Sequence, residues 1–406
     1  MIGVDDWRFW AVVAALTVAV RAGLRPSWRP ALFLAATAFL FHERAGWPIA
    51  ACLLGVATYG YLALAFTPSR GRAASVGIAV HTVAMAALFV GSQYATAVVP
   101  GVPVIERIMP LVGLPYLFLR FVHLLVEVVG GRLARPGFVT YLAYLLPFHQ
   151  LLAGPIQRYT GGGADGQAFA DQVLTAPIGP LTTDDLLRAV GRITDGFVKK
   201  TILAQLLLDV VGFRFESSGL WAVLEMDLFA IWLYLDFSGY MDIVIGAGML
   251  VGWRPPENFD WPYLSRNIIE FWTRWHITLS EWIRDHVFGP LNLALQRGWL
   301  RGRPLAAGMV CYFVSMIAVG LWHRANVQFL LYGLLQGSAI VACKLYEQQL
   351  KQRLGKAGLK RYQASTAIRV VATVVNFHYV AFGHVVAFHT PAQVLGILGS
   401  IVGVGR

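Results

Sequence analysis

Apolar runs bounded by short polar or charged segments repeat along almost the whole chain. They cover about residues 9–24, 30–42, 47–67, 74–95, 107–129, 186–212, 221–251, 304–322, 327–345, 367–388 and 391–405. A helix needs about 20 apolar residues to cross a hydrocarbon core about 30 Å thick, and most of these runs approach that length; the second and the last are short. The pattern predicts an all-α integral membrane protein with about ten to eleven transmembrane helices, built as a single polytopic domain over 1–406. The spans are then the fold itself rather than an anchor on a soluble domain.

Three segments depart from this pattern. Between Pro136 and Pro155 the run GFVTYLAYLLPFHQLLAG is apolar but interrupted by Pro147 and crowded with Tyr, His and Gln. Irregular backbone at membrane depth survives only where protein or a cavity covers it, so a re-entrant or broken helix is expected. The polar stretch from Thr160 to Asp185, with Gly161 to Gly163, reads as an exposed loop. The third segment, RPPENFDWPYLSRNIIEFWTRWHITLSEWIRDHVFGP from Arg254 to Pro290, carries Glu270, Arg274, Glu281, Arg284 and Asp285 in its helical part, about 267–288. A charge at the centre of a lipid-facing helix costs at least about 2.5–3.5 kcal/mol, which excludes a simple span. Phe271, Trp275, Leu279, Trp282 and Ile283 recur at helical spacing, as in an amphipathic interfacial or re-entrant helix. Trp272, His276 and Ser280 form a second stripe on that helix, and a plain interfacial anchor remains open.

Composition sharpens the class. The chain is 57% hydrophobic and 14% charged, against about 25% charged for an ordinary soluble domain. A formal charge of +11 invites a nucleic-acid reading, but the cations lie in short loops between apolar runs, as positive-inside sorting requires. The partner implied is a lipid bilayer, with no nucleic acid. Arg21, Arg25 and Arg29, then Arg70 and Arg72, then Arg132 and Arg135 mark alternate loops as cytoplasmic, and Arg297 to Arg303 and Lys344 to Arg369 follow; the N-terminus should therefore face outward. Asp5 and Asp6 occupy the place of a signal peptide's basic region, so the first helix should be retained. Cys52, Cys311 and Cys343 sit in apolar runs without paired spacing and suggest neither disulfides nor a thiolate metal site.

For chemistry, His323 in GLWHRANVQFLLYGLLQG (320–337) ends one apolar run close to the start of another. An ionisable side chain there is either functional or a packed, satisfied histidine, and position alone does not separate the two. An imidazole with an ordinary pKa near 6.5 suits a general base at neutral pH. The chain has no Gly-x-Ser-x-Gly elbow, Walker loop or His-Glu-x-x-His helix, so hydrolase and nucleotide-driven readings lack support. His276 with His323 gives no positive sign of a metal pair.

Taken together, EFWTRWHITLSEWIRDHVF, GLWH and LAGPIQRY (152–159), with DGFVKKTILAQLL (195–207) and LDFSGYMDIVIGAGMLVGWRPPENF (235–259) between them, resemble the membrane-bound O-acyltransferase family in content and order. The matching blocks spread over about 105–390. The resemblance is to the bacterial branch containing the alginate O-acetyltransferase and the teichoic-acid D-alanyl transferase; GLPYLFLRFVHLLVEVVGG (113–131) and NFHYVAFGHVVAF (376–388) look closer to the latter.

The resemblance implies that His323 matches the catalytic histidine and His276 a second, supporting one. Trp322, Arg324, Trp272, Trp275, Ser280, Arg284, Asp285 and Asn258 would line or support a substrate tunnel. It implies no bound cofactor or metal. The acyl group would come from a cytoplasmic thioester donor, a coenzyme-A ester or an acyl carrier protein, and pass to a hydroxyl, with donor and acceptor entering from opposite membrane faces. It further implies the bacterial cytoplasmic membrane and a possible outer partner of the SGNH/GDSL serine-hydrolase type. The chain departs from the family at Arg324, where Gly is usual, and at His384, where an aromatic is frequent. His276 and Trp322 are candidate oxyanion donors, while Asp236, Asp242 and Asn258 read as scaffold. A transporter or flippase also uses broken helices and intramembrane charges, and a scaffold that recruits an acyl-handling enzyme would leave the histidines structural.

Overall fold

The computed structural model describes residues 4–98, 114–150, 153–160 and 168–403. They are helical, and the one β-type feature among them is an isolated bridge between Phe259 and Trp275. The chain divides into two compact units, Met1–Phe197 with Tyr240–Pro256, and Val198–Gly239 with Glu257–Arg406.

In the first unit the helices are α1 (Trp7–Arg21), α2 (Arg29–Ala45), α3 (Trp47–Phe66), α4 (Gly71–Val98), α5 (Leu114–Val129), α6 (Phe138–Leu145) and α7 (Thr183–Phe197). Asp6 starts α1 by accepting the Arg8 N–H at 2.8 Å, the side-chain cap that satisfies one of a helix's unpaired first-turn donors. The expected broken helix is present. After α6 ends at Leu145, the chain makes a 3-10 turn at Phe148–Gln150, and these residues are buried. They surround Trp253, 2% exposed, whose indole meets Phe33 at 5.5 Å, Phe169 at 5.4 Å and His149 at 4.4 Å.

That same core corrects part of the expected exposed loop over 160–185. Phe169 and Val173 are buried at 0% and 1% exposure. The Phe169 and Ala170 N–H groups donate to the carbonyls of Arg158 and Tyr159 at 2.9 Å, so backbone pairing carries two apolar side chains inward from a largely polar stretch. Residues 161–167 lie outside the described ones.

The second unit contains α8 (Ala204–Val211), α9 (Leu220–Val251, whose last residues belong to the first unit), α10 (Ile268–Trp272), α11 (Ile277–Ile283), α12 (Gly289–Arg297), α13 (Pro304–His323), α14 (Val327–Ala364), α15 (Thr366–Phe388) and α16 (Pro391–Val402). Among the described residues, five helical stretches are long and apolar enough to cross a membrane: Gly71–Tyr94, Leu220–Val251, Pro304–His323, Val327–Ala364 and Thr366–Phe388; Ala50–Phe66 and Pro391–Val402 are shorter and apolar. The protein is a multi-pass membrane protein.

The run 186–212 does not form one apolar span. Its first part, α7, carries an exposed Asp184–Arg188 pair at 2.8 Å, and a π-helical turn at Val198–Leu203 leads into α8. The basic region 344–369, expected as a loop, is helical through Ala364, with the φ of Gly355 at +62° marking a kink. α14 is thus two helical pieces joined at Gly355, and the helix continues past the end of the apolar run into the charged sequence before that kink.

α13 and α14 meet backbone to backbone. A Cβ on Gly320 would lie 2.1 Å from the Phe329 carbonyl oxygen, and one on Gly333 would lie 2.5 Å from that of Met316. Glycine at 333 and 337 repeats at the four-residue spacing that lets membrane helices approach closely. This hairpin positions the end of α13, where His323 stands.

Candidate active site

The predicted single helix over 267–288 is broken in the structure, and the break positions His276. Asn267 caps α10 by accepting the Glu270 N–H at 2.9 Å. Arg266 and Arg274 both pair with Glu270, at 2.9 and 3.0 Å, clamping a helix of only five residues. The chain then turns through His276, whose φ is +45°. A non-glycine residue in this region is uncommon, and such strain is found at functional sites.

The turn is held from one side by the segment 258–260. The Ile277 N–H donates to the Asn258 carbonyl, and the Asp260 N–H to that of Arg274, each at 3.0 Å. The Asn258 side chain completes the attachment. Its Oδ1 accepts from the Thr278 hydroxyl at 2.9 Å and the Thr278 N–H at 3.2 Å, and lies 3.3 Å from His276 Nδ1. Asn258 thus ties His276 and Thr278 to the segment 258–260. The stripe of Trp272, His276 and Ser280 expected on one helix does not exist as such, because the helix restarts at Ile277.

His276 is fully buried, and its Nε2 has no hydrogen-bond partner among the described residues. Its ring faces Phe237 at 5.1 Å, Trp322 at 5.9 Å and His323 at 6.2 Å. Trp322 is buried, whereas His323 is exposed, lying against Trp322 at 4.7 Å and stacked on Phe329 at 5.5 Å. Two segments 47 residues apart in sequence, at 276 and 323, therefore bring one anchored histidine and one accessible histidine together around an indole.

The remaining predicted residues divide. Trp272, Ser280 and Arg284 line a cavity of about 310 Å³ together with Ser315, Met316 and Ile340. Trp275 is buried against Phe271 and Phe259 instead, at 5.5 and 5.0 Å. Asp285 pairs with the neighbouring Arg284 at 3.0 Å. Arg324 is exposed at the end of α13, with extended backbone. Of the predicted scaffold carboxylates, Asp236 pairs with Lys200 and Asp242 with Arg192 at 2.9 Å. Among the described residues no group of three histidines, cysteines or carboxylates could hold a metal ion.

Sequence reasoning missed Phe237, Phe329 and Gln336. Gln336 is 1% exposed and its Oε1 accepts from the Trp272 indole at 3.4 Å. A glutamine in an apolar run at LLQG was the available signal, since a polar side chain inside a membrane helix needs a partner.

The pattern of "MBOAT, membrane-bound O-acyltransferase family" matches residues 79–379, more than half of the chain. The chain belongs to the membrane-bound O-acyltransferase family. Among curated relatives, a teichoic acid D-alanyltransferase of Bacillus subtilis is 28% identical over 285 residues, 68% of each chain. A probable alginate O-acetylase of Azotobacter vinelandii is 32% identical over 241 residues, 58% of this chain and 44% of that one. A peptidoglycan O-acetyltransferase of Helicobacter pylori is 28% identical over 219 residues, 53% of this chain and 39% of that one. The match thus spans about two thirds of the first relative and less than half of the other two. An O-acyltransferase of the membrane is the activity these relatives share, and the described geometry sits in the matched region.

Proposed function

We propose that this O-acyltransferase moves an acetyl or D-alanyl group from a thioester donor at the cytoplasmic face to a hydroxyl of a cell-envelope polymer, with His323 as general base. The observation that carries the reading is the pairing of accessible His323 with anchored His276 across Trp322. His323 takes the proton of the acceptor hydroxyl as its oxygen attacks the thioester carbonyl. The tetrahedral oxyanion is held by a donor from His276 or Trp322. On collapse the C–S bond breaks, and the departing thiolate takes the proton back from His323. No free nucleophile is required, so transfer is direct.

The cavity beside α11 and α13 is the proposed seat of the donor arm. Its walls are largely apolar, with Ile269, Ile277 and Met316, and exposed Arg284 stands at its edge. The donor is a coenzyme-A ester or an acyl carrier protein; a carrier would land on the basic stretch Arg297, Arg301 and Arg303 by charge attraction. Arg324, replacing the family's glycine, would tune the donor's acyl length through its bulk and charge. In this reading the protein sits in the bacterial cytoplasmic membrane with its N-terminus outside, and an outer SGNH/GDSL-type partner assists transfer to the polymer.

Purified protein in liposomes, given a labelled acetyl or D-alanyl thioester and a hydroxyl acceptor, tests the reading. Thioester consumption and labelled ester are expected, both lost in His323→Ala. Consumption of neither thioester by well-folded protein would overturn it.

A further inference from the structure

Where the apolar runs of α14 and α15 give way to charge, the chain builds a cleft that the reaction scheme leaves unused. From Lys344 to Arg369 the sequence carries seven cations and a single carboxylate, Glu347. The kink at Gly355 folds this basic stretch back on itself. Sixteen residues of straight helix would separate Tyr346 from Tyr362 by about 24 Å, yet their hydroxyls lie 2.9 Å apart.

Between this folded stretch, the start of α15 and the short helix α10 lies a cavity of about 650 Å³. Four cations line it, Arg266, Arg274, Lys344 and Arg369, against two carboxylates, Glu270 and Glu347. Glu270 is shared by Arg266 and Arg274, and Lys344 stands 3.5 Å from Glu347. The Arg369 side chain has no ion pair or hydrogen bond among the described residues. The lining therefore holds an excess of positive charge, part of it on an unpaired guanidinium. α15 also begins here, at Thr366, and the partial positive charge of a helix's first turn adds to the same field.

The excess charge calls for an anion, and the surroundings say which kind. Ile368 and Ala372 line the cleft, and Val371 and Val375, each 62% exposed, flank that face and lead away from it along α15. α15 is apolar and long enough to cross a membrane, so this track runs from the charged cleft into hydrocarbon. A free phosphate would use the cations alone, whereas a phospholipid uses both surfaces. Clusters of about four to eight Lys and Arg next to a membrane helix recognise anionic headgroups. A zwitterionic headgroup brings no net charge to offset the excess.

We propose that this cleft holds the headgroup of an anionic phospholipid from the surrounding bilayer, its phosphate against Arg369 and Lys344 and an acyl chain along Val371 and Val375. The assignment does not depend on the acyl-transfer reading. It does reach the candidate active site, because Ile269 and Thr273 line both this cleft and the cavity of about 310 Å³. A bound headgroup therefore braces α10, the short helix that leads into the strained turn at His276.

The test uses the full chain in neutral detergent micelles, with dioctanoyl phosphatidylglycerol or dioctanoyl phosphatidylcholine added and bound lipid counted by native mass spectrometry. Phosphatidylglycerol should bind at least about tenfold more tightly than phosphatidylcholine, and Lys344→Gln and Arg369→Gln should each weaken it about fivefold, the worth of one cation near an anionic surface. Arg72→Gln removes an exposed cation of the first unit and should leave the affinity unchanged; an equal loss there would assign the preference to net charge and overturn the proposal. Equal binding of the two lipids by wild type overturns it whether or not the variants fold, as does a preference undiminished in the double variant. Displacement of bound phosphatidylglycerol by equimolar inorganic phosphate or coenzyme A would overturn it too, by showing that the cleft reads a soluble phosphate.

Discussion

Two buried polar regions of this protein look alike in composition and differ in what their hydrogen bonds do. In the first unit, Arg120 donates to the Leu145 carbonyl at 3.3 Å and to the Gln150 side chain. Gln150 donates in turn to His149 at 3.1 Å. Gln157 accepts from the Trp253 indole through its side chain at 2.8 Å and from the Tyr144 hydroxyl through its carbonyl at 2.9 Å. His123 accepts the Tyr159 N–H at 3.1 Å. Among the described residues, one ring nitrogen of His149 is left over in this network. Around His276 in the second unit, by contrast, His276 Nε2, Gln336 Nε2, Asn258 Nδ2 and both nitrogens of His384 lack partners among the described residues, while His323 is exposed. A network closed on itself rigidifies a core, whereas an open one is stable only because something else completes it. Histidine and tryptophan in a membrane helix therefore do not announce function by themselves; the unmade bonds do.

The comparison is most exposed to failure in a double dissociation. His323→Ala should lower transfer by about 10²–10⁴-fold, the usual worth of a general base, and leave the melting temperature unchanged. Arg120→Ala should do the reverse, leaving two buried acceptors bare at about 1–3 kcal/mol each and reducing the yield of monodisperse protein. Melting curves and turnover on the same preparations decide it. If His323→Ala unfolds the protein, the second region is as structural as the first.

His276 sharpens the contrast, because it combines an open nitrogen with a strained backbone. Losing one oxyanion donor costs about 10²–10³-fold in turnover, so both His276→Ala and His276→Asn should be slow. Asparagine tolerates a positive φ far better than alanine, so His276→Asn should melt higher than His276→Ala. Equal melting of the two would remove strain from the account of this turn.

A smaller effect is expected at Asn258. Asn258→Ala removes the oxygen shared by Thr278 and His276, costing about 1–3 kcal/mol of stability and roughly tenfold in turnover through misorientation. Asn258→Asp keeps that acceptor and should recover most of the activity. Failure of the aspartate to rescue would mean that Asn258 does more than hold the turn.

The smallest effect tests an ion pair of the first unit, outside that network, by pH. The Asp185 carboxyl is held below its ordinary value of 3.8 by the Thr182 side chain first, and by Arg21 and Arg254, which it meets at 3.5 and 3.2 Å. A depressed carboxylate stabilises the fold fully above its unfolded value and loses that contribution as pH falls through the folded one. Melting temperature should thus fall slightly more between neutral and acid pH in wild type than in Asp185→Asn. Identical slopes would show that this ion pair is already screened by water.

The membrane class and the family were legible from the chain alone, because bilayer thickness imposes a length on every apolar run and because the blocks around His276 and His323 stand in order along the sequence. The broken helix over 136–155 was legible too, since Pro147 cannot donate within a helix. Other features depended on contacts between distant residues. Phe169 enters the core because its backbone pairs with Arg158. His276 leaves the helix because Asn258, eighteen residues earlier, captures Thr278. Periodicity reports which face of a helix is apolar; it does not reveal where a side chain from elsewhere competes for the helix's own hydrogen bonds. The same limit hid the close approach of two helices where Gln336 meets Gly383, a closeness that packing decided.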